Sequence, residues 1–323
     1  LVVDDGSGER LLHGLVRNLT AAGRDEEFHL YRLQIVPWFW FLSLNEDCRV
    51  FQNMDVRKIV EQVFDDRGYS DYTFDCQRSF PTREFTVQYQ ESDLDFVSRL
   101  LEEEGIFYFF KHEESRHVMV LADHQGALQV SPTQSDVRLS EVGEGIEGER
   151  VIHEITVDTA VHPGKTTLAD YDYLKPSAEL NATVEGSGWG SLYHYPAGYR
   201  ESGTGTQLAE IRLEAEEALA TVLRGQGDCF GLIPGFRFRL SDSDVDGEYL
   251  VTTVHHDAGV QEYRSGDVEQ AEDPYLNSFA AIPFATPFRP RRRTPRPHLG
   301  AQTAVVVGPS GEEIYTDEYG RVK

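Results

Sequence analysis

The histidines of this chain are the residues whose type and spacing come nearest to a metal site. A zinc-hydrolase helix places two histidines four residues apart on one face, in the pattern HExxH. His112, Glu113 and His117 follow a predicted strand with the histidines five residues apart, so we expect their imidazoles not to share a face. His255 and His256 end another predicted strand, where neighbouring side chains point to opposite sides. The sequence therefore predicts no metal ligand at either place.

Paired carboxylates are the second arrangement that could do chemistry, because glycoside hydrolysis needs two of them. Asp93 and Asp95 follow Ser92 in the pattern of a helix N-terminus, where they favour capping and the helix dipole. Residues 102–104 are three glutamates in the last turn of the same predicted helix, where negative charge opposes the dipole and favours a basic group nearby. The chain has no GxSxG elbow and no Walker loop. We therefore predict no catalytic residue and no cofactor.

Glycines and cysteines offer two further patterns, and neither fits a site. Residues 143–148 spell GEGIEG, which matches the letters of a dinucleotide-binding loop. No βαβ unit surrounds this motif, and its glutamates would repel a pyrophosphate. Cys48, Cys76 and Cys229 are odd in number and widely spaced, so we expect reduced thiols rather than a zinc site.

The composition is that of a globular protein with a strong acidic excess. The 323 residues carry 55 acidic and 30 basic side chains, for a formal net charge of −25. This balance argues against a general nucleic-acid or anionic-membrane binder, and it fits a soluble protein or one with a basic partner. No apolar run approaches the roughly 20 residues of a membrane-spanning helix. A chain of this length predicts two or three domains.

The stretch 83–110 has the clearest local structure, because strand, helix and strand signals follow one another. Ser92 is the predicted N-cap of the helix, and Gly105 can end it in the left-handed conformation. Ile106–Phe110 is an apolar run that predicts a strand buried on both faces. The first strand is indicated by apolar residues at alternate positions: Phe85, Val87 and Tyr89. The helix presents one apolar face: Phe96, Val97, Leu100 and Leu101.

Two further helices are predicted, and most of the remaining chain reads as strand and turn. One helix lies within residues 51–67 with Asn53 as its N-cap, and the other spans residues 206–224 and is closed by Gly225. Four consecutive aromatic residues follow Pro37 in a strand-rich segment, where core or subunit-interface packing is favoured over an exposed binding patch. The possible subunit interface consists of Trp38, Phe39, Trp40 and Phe41.

The segment near the C-terminus changes character and predicts an extended, semi-rigid connector, residues 285–300. Residues 283–297 contain five prolines, which leave no room for a helix. Five arginines lie in the connector: Arg289, Arg291, Arg292, Arg293 and Arg296. A nucleic-acid or localisation patch is one interpretation. In so acidic a chain, a basic strap that docks on an acidic surface of its own or a sister subunit is better supported.

The string YQESDLDFVSRLLEEEGIFYFF, residues 89–110, resembles the signature of VgrG proteins, the trimeric spikes of the type VI secretion system. Those are similar in turn to the hub-plus-needle proteins of contractile phage tails. Similar family strings are found at Gly68–Tyr72 (GYSDY), at residues 232–238 (LIPGFRF) and at residues 247–251 (GEYLV). The resemblance implies an α+β, strand-dominated multidomain fold with phage-hub-like β-barrel domains.

The resemblance also implies a domain order. The residues after the connector, 301–323, predict two short strands around a Gly-Pro-Ser-Gly turn and resemble the opening of an oligonucleotide/oligosaccharide-binding (OB) type β-barrel. The expected domains are a first hub β domain (1–50, in part), an α+β insert with two helices (51–125), a second hub β domain with one long helix (126–284), the connector (285–300) and the start of the OB-type barrel (301–323).

The function implied by the resemblance is mechanical rather than enzymatic. A homotrimer would cap a hexameric tube protein (Hcp) and carry a puncturing needle, with a PAAR-type tip protein and effectors bound through a missing C-terminal region. Such a protein would be cytoplasmic when loaded and then secreted to the exterior or into a target cell. Two alternatives stay open: a baseplate hub of a contractile phage or phage-like particle, and a spike with an enzymatic C-terminal extension. Because the chain begins with Leu1 and stops within an apparent strand, we expect a fragment.

Overall fold

The structure, a computed structural model, describes residues 2–4, 9–24, 29–140, 149–258, 275–297, 300 and 303–322. Strands dominate this part of the chain, and three α-helices accompany them. The α+β, strand-dominated fold class predicted from the sequence is confirmed. The glycine-rich residues 143–148 lie outside the described residues.

The N-terminal elements are five strands and one 3-10 helix. The bounds are β1 (Val2–Asp4), β2 (Glu9–Leu11), β3 (Leu15–Arg24), β4 (His29–Val36), the 3-10 helix Trp38–Leu44 and β5 (Glu46–Met54). The next elements are α1 (Val56–Asp66), β6 (Tyr72–Asp75), β7 (Arg83–Ser92), α2 (Asp93–Glu104), β8 (Phe107–His112), β9 (His117–Ala122), a short 3-10 helix (Gln125–Ala127) and β10 (Asp136–Arg138).

The C-terminal half adds eight strands and the third helix. Their bounds are β11 (Ile152–Thr159), β12 (Lys165–Ala169), β13 (Asn181–Glu185), β14 (Leu192–His194), α3 (Ser202–Glu217), β15 (Thr221–Gly227), β16 (Arg237–Ser241), β17 (Gly247–Ala258) and β18 (Tyr275–Pro283). A six-stranded sheet has the order β10-β16-β17-β18-β15-β11, and two three-stranded sheets have the orders β13-β12-β14 and β6-β9-β8. The pairs β1–β2, β3–β4 and β5–β7 are two-stranded.

Helices α1 and α2 share one apolar core with the 3-10 helix. Their buried side chains include Ile59, Val63, Phe96 and Leu100. In α2 the Ser92 hydroxyl accepts the N–H of Asp95 at 3.0 Å, and Gly105 has a φ of 68°. Both ends of α2 are therefore where the local signals predicted them.

The other two helices begin and end elsewhere than predicted. The N-cap of α1 is Asp55, which accepts the N–H of Lys58, whereas Asn53 belongs to β5. Helix α3 begins at Ser202 and ends at Glu217, and Gly225 lies inside β15. Asn53 and Gly225 lie in strands rather than helices because β5 pairs with β7, and β15 pairs with β11 and β18. Sheet pairing of this kind is non-local, so helical spacing alone cannot reveal it.

Strand β7 alternates as predicted, but the face that is buried is the opposite one. Thr86 and Gln88 are buried, whereas Phe85 is 57% exposed. The reason is a buried polar network at the start of α2, where the Gln88 amide donates to Asp93 at 2.8 Å. Tyr108 is also exposed, so β8 is not buried on both faces as expected.

The tail contains the expected turn without the two expected strands. Residues 309–311 form a turn, and Gly311 has a φ of 94°. Within residues 303–322 the only β pairing is an isolated bridge between Thr316 and Val322. The start of an OB-type barrel therefore stays a prediction.

Candidate assembly surfaces

The hairpin β3–β4 presents an apolar face that nothing in the described protomer covers. In an antiparallel pair, directly opposed residues share a face and alternate positions repeat it. Leu19 lies opposite Leu33 and Val16 lies opposite Ile35, and Leu19 and Leu33 are 59% and 54% exposed. We call this surface the hairpin face, formed by Val16, Leu19, Ala21, Tyr31, Leu33 and Ile35. A two-stranded hairpin with such a face is marginal in water by itself, so the face favours a protein partner.

The pair β5–β7 presents a second apolar face. Val50 lies opposite Val87 and Gln52 opposite Phe85, and Val50, Val87 and Phe85 are all exposed. The opposite face of the same pair is buried against the α1–α2 core through Phe51 and polar side chains. The apolar side of this pair therefore faces outward from the protomer. An exposed apolar face of this kind is unusual unless another surface covers it.

The aromatic run after Pro37 is a 3-10 helix rather than part of a strand, and it divides into two halves. Trp38 stacks on Tyr69 with ring centroids 4.7 Å apart, and Phe39 packs edge-on against Tyr108 at 5.1 Å. Both rings are buried in the protomer's own core, which removes Trp38 and Phe39 from the predicted subunit interface. Trp40 is only half-buried.

For the second half of the run the interface remains a prediction. Trp40 and Phe41 are half-buried and pack edge-on against each other, with ring centroids 5.4 Å apart. The Arg17 guanidinium of β3 lies 4.1 Å from the centre of the Trp40 ring. This cation–π contact joins the hairpin to the 3-10 helix.

The connector lies along the C-terminal ends of α2 and α3 in the same protomer. Arg289 pairs with Glu214 at 2.7 Å and also donates to the carbonyl oxygen of Asp123. Arg291 pairs with Glu216 at 2.9 Å. Both glutamates belong to the last turn of α3, whose dipole attracts these cations.

The three glutamates at the end of α2 receive the rest of the connector. Glu102 accepts the backbone N–H groups of Arg293 and Thr294, each at 2.9 Å. Arg296 pairs with Glu103 at 2.7 Å. The basic groups that the unfavourable helix-end charges led us to expect are therefore supplied by the connector and by strand β7. The side chains of Arg292 and Arg293 are exposed.

Glu103 is the buried centre of this cluster. It accepts from Arg83 of β7 at 2.9 Å as well as from Arg296. Burial by itself would raise the pKa of Glu103, but the two guanidinium groups outweigh it and lower this pKa to about 2. The pair Arg83–Glu103 thus stays ionised inside the protein.

Arg212 of α3 completes the site, and the sequence reasoning missed it. Its guanidinium donates to the carbonyl oxygens of Glu102 and Glu103, each at 2.8 Å, and so caps the C-terminus of α2. Burial lowers the pKa of Arg212 to about 10. In the sequence, Arg212 is one basic residue in a helix of mixed apolar and acidic residues, and no local pattern marks it as a helix cap.

The histidines differ from the expectation made for them. His112 and His117 are directly opposed in the β8–β9 hairpin, so their imidazoles do share a face, with ring centroids 6.1 Å apart. The predicted separation ignored the possibility of a hairpin between them. His13 joins this pair, with its Nδ1 atom 2.8 Å from Nδ1 of His117. Across the part of the chain that the structure describes, no group of three or more histidine, cysteine or acidic residues is arranged to hold a metal ion.

Comparison with known protein families assigns the chain to a family. The phage tail baseplate hub family (GPD) matches residues 1–262. The chain belongs to this family. The resemblance to VgrG proteins is confirmed with it, because this hub chain is 38% identical to the type VI secretion system spike protein VgrG1b of Pseudomonas aeruginosa.

The matches cover nearly all of the hub chain but only part of each relative. The match to VgrG1b covers 100% of the hub chain and 44% of the relative. The actin cross-linking toxin VgrG1 of Vibrio cholerae is 31% identical over 97% of the hub chain and 29% of the toxin. The hub chain therefore spans less than half the length of both relatives.

A solved structure supports the fold of the hub chain. It is an E. coli component of the type VI secretion system that resembles the T4 bacteriophage tail proteins gp27 and gp5. The TM-score is 0.67 at 22% identity, and the match covers 93% of the hub chain and 68% of that structure. At this identity the likeness shows the fold. Among the described residues, no helix is long and apolar enough to cross a membrane.

Proposed function

We propose that this chain is the hub part of a type VI secretion spike and that its role is structural. The observation that carries the proposal is the exposed hairpin face in a chain that aligns along its full length with a spike protein. A face of six apolar side chains on an isolated hairpin is stable only when another surface covers it. In a hub the natural cover is a second copy of the same chain.

The assembly in this proposal is a homotrimer that caps a hexameric tube protein of the Hcp type. The hairpin face and the apolar side of β5–β7 supply the contacts between subunits, and Trp40 and Phe41 lie beside them. A three-fold arrangement of two β domains per chain presents six similar units to the tube. Six similar units in the trimer can then contact the six subunits of the tube in similar ways.

The connector arginines serve as a docking strap in this proposal. Contacts of Arg289, Arg291 and Arg296 with α2 and α3 fix the direction in which the chain leaves the hub. A PAAR-type tip protein and effectors would bind through the region that follows. The spike would be cytoplasmic when loaded and would then leave the cell.

Light scattering across a concentration series tests the assembly. We expect a mass of about three times 36.6 kDa for this chain. Leu19→Asp combined with Leu33→Asp places two opposed charges in the hairpin face and should reduce the mass to that of one chain. Val161→Asp is the matched control, because Val161 is 83% exposed outside both apolar faces. A parent chain that stays monomeric at every concentration contradicts the assembly role of the hairpin face.

Two alternatives are favoured by specific observations. The matching family is named for phage tail baseplate hubs, which supports a hub of a contractile phage or phage-like injection particle. The relative named as an actin cross-linking toxin is more than three times as long as the aligned region, which supports a spike with an enzymatic C-terminal extension. Co-purification with a type VI tube protein favours the spike over the phage hub.

A further inference from the structure

We call residues 10–14 and 36–40, where the chain enters and leaves the hairpin β3–β4, the hairpin root. One buried imidazole contacts both of its segments. The chain enters the hairpin through His13 and leaves it at Trp38. His117 of β9 contacts both: its Nδ1 lies 2.8 Å from Nδ1 of His13, and its Nε2 lies 2.8 Å from the backbone nitrogen of Trp38. His117 is 3% exposed. One side chain therefore ties both ends of the hairpin to the α+β region.

The hydrogen bonds determine where the proton of His117 lies. The backbone N–H of Trp38 can only donate, so Nε2 of His117 must be unprotonated and accept. The proton of the neutral ring is then on Nδ1 and is donated to Nδ1 of His13. A second proton would have to enter at Nε2, where it would face the Trp38 N–H.

A second histidine fixes the same stretch from the other side. Nε2 of His256 lies 3.2 Å from a guanidinium nitrogen of Arg10, which can only donate, and Nδ1 of His256 lies 2.6 Å from the hydroxyl of Tyr275. Arg10 also donates to the carbonyl oxygen of Phe230. His256 is therefore also held as an acceptor, and protonation at Nε2 would place two cations against each other.

Most of the charged and titratable groups around the two rings oppose a second proton. His117 faces His13 and His112, and Nδ1 of His112 lies 3.1 Å from the backbone nitrogen and 3.0 Å from the carbonyl oxygen of His13. Asp71 is the acidic group that favours the charged form of His117. His256 faces Arg10 and Tyr275, and its neighbour in the strand, His255, adds a smaller repulsion from the other side of β17.

We propose that the hairpin root is an acid-sensitive clamp: protonation of His117 and His256 releases residues 10–13 and the backbone N–H of Trp38, and the hairpin then moves while the cores, which hold the Trp38 ring, stay folded. The inference is independent of the proposed assembly, because all its contacts lie within one protomer. Burial, together with the neighbouring His13 and His112, lowers the pKa of His117 to about 4, and burial together with Arg10 lowers that of His256 to about 4. A released histidine regains its ordinary pKa near 6.5 and binds a proton more readily.

The sign of the pH dependence follows from these values. Because the clamped form binds protons less well than the released form, the clamp is complete above pH 6.5 and weakens as the pH falls toward 4. Each histidine should raise the population of the released form about tenfold per pH unit in this window. Two histidines acting together should raise it about a hundredfold per unit.

Hydrogen–deuterium exchange between pH 7.5 and 4.5, corrected for the intrinsic exchange rate, tests the clamp. We expect peptides spanning residues 10–14 and 36–40 to lose protection about tenfold or more per pH unit below 6.5. A peptide from α2 should keep its protection. Protection at the hairpin root that does not change with pH overturns the proposal, and so does a parallel loss in α2.

Substitution separates the clamp from a general effect of acid. His117→Gln keeps a non-titrating acceptor for the Trp38 N–H. The loss of protection at the hairpin root should therefore be about tenfold smaller per pH unit in this variant than in the parent. His255→Gln is the matched control, because its side chain lies on the other side of β17 from His256, and the parent profile should persist. A His117→Gln profile equal to the parent's overturns the proposal. A histidine ring titration of the parent by NMR is a second measurement, and an ordinary pKa for His117 also overturns it.

Discussion

The buried glutamate at the end of α2 shows how single side chains hold the hub chain together. Glu103 bridges strand β7 through Arg83 and the connector through Arg296. Losing a buried carboxylate that serves two arginines costs more than losing a surface pair, although Arg83 would keep Glu104 as a partner at 2.7 Å. The pairs of Glu103 should therefore contribute measurably to stability.

Glu103→Gln should lower the free energy of unfolding at pH 7 by about 3 kcal/mol, the value of a shift from 4.5 to about 2 in pKa. Because the folded-state pKa is lowered, this stability is present above pH 4.5 and is lost as the pH falls toward 2. Urea unfolding at pH 7 and at pH 3 measures both effects. The variant should lose less stability than the parent between these two pH values.

Glu113→Gln is the matched control for Glu103→Gln. Glu113 pairs with Arg116 three residues away on the surface, so its loss should cost less than about 0.5 kcal/mol. Equal losses for the two variants would show that burial and the second arginine add nothing to the pair of Glu103.

At the scale of elements, the connector is a segment without regular structure that is held by charge. Residues 287–297 form neither helix nor strand. Phe288 packs edge-on against Phe107 at 5.6 Å, and Arg289 pairs with α3 beside it. A proline-rich chain loses little entropy when it is fixed in this way, because it is already extended.

Arg289→Ala should loosen the connector, because it removes a charge-assisted hydrogen bond to Glu214 worth about 1.5–3 kcal/mol. We expect chymotrypsin to cleave after Phe288 about ten to a hundred times faster than in the parent. Arg293→Ala is the matched control, because its side chain is exposed and its backbone N–H still reaches Glu102. Equal acceleration in both variants would mean that the ion pair with Glu214 does not hold the connector.

For the whole molecule, net charge and apolar surface act in opposite directions. Each chain carries a formal charge of −25, so three chains brought together repel one another. The hairpin face and the apolar side of β5–β7 offer the opposing attraction, which salt does not screen.

Raising the salt concentration from 20 to 300 mM should therefore strengthen association of the chain, because the ions screen the repulsion and leave apolar contacts intact. Sedimentation equilibrium at both salt concentrations measures the dissociation constant. Association that salt weakens would instead indicate ion pairs between subunits and would contradict an apolar interface.

The sequence by itself determined the elements whose signals are local. Ser92, Gly105 and the apolar face between them are enough to place α2, because capping and helical spacing act within a few residues. The VgrG signature in the same stretch led to the correct family. The excess of charge on the last turn of α2 also indicated that basic groups would lie nearby.

Only the tertiary structure decided which faces are buried and which distant side chains meet. Period-2 alternation in β7 is the same for either face, and Gln88 is held inward by Arg49 of the paired strand β5, which donates to its amide oxygen at 2.9 Å. His112 and His117 were brought opposite each other by a hairpin, and His13 was added from about a hundred residues away. Helix α3 ends at Glu217 because the next residues pair with β11 and β18. Each of these outcomes depends on contacts between segments far apart in the chain, which local pattern and propensity do not contain.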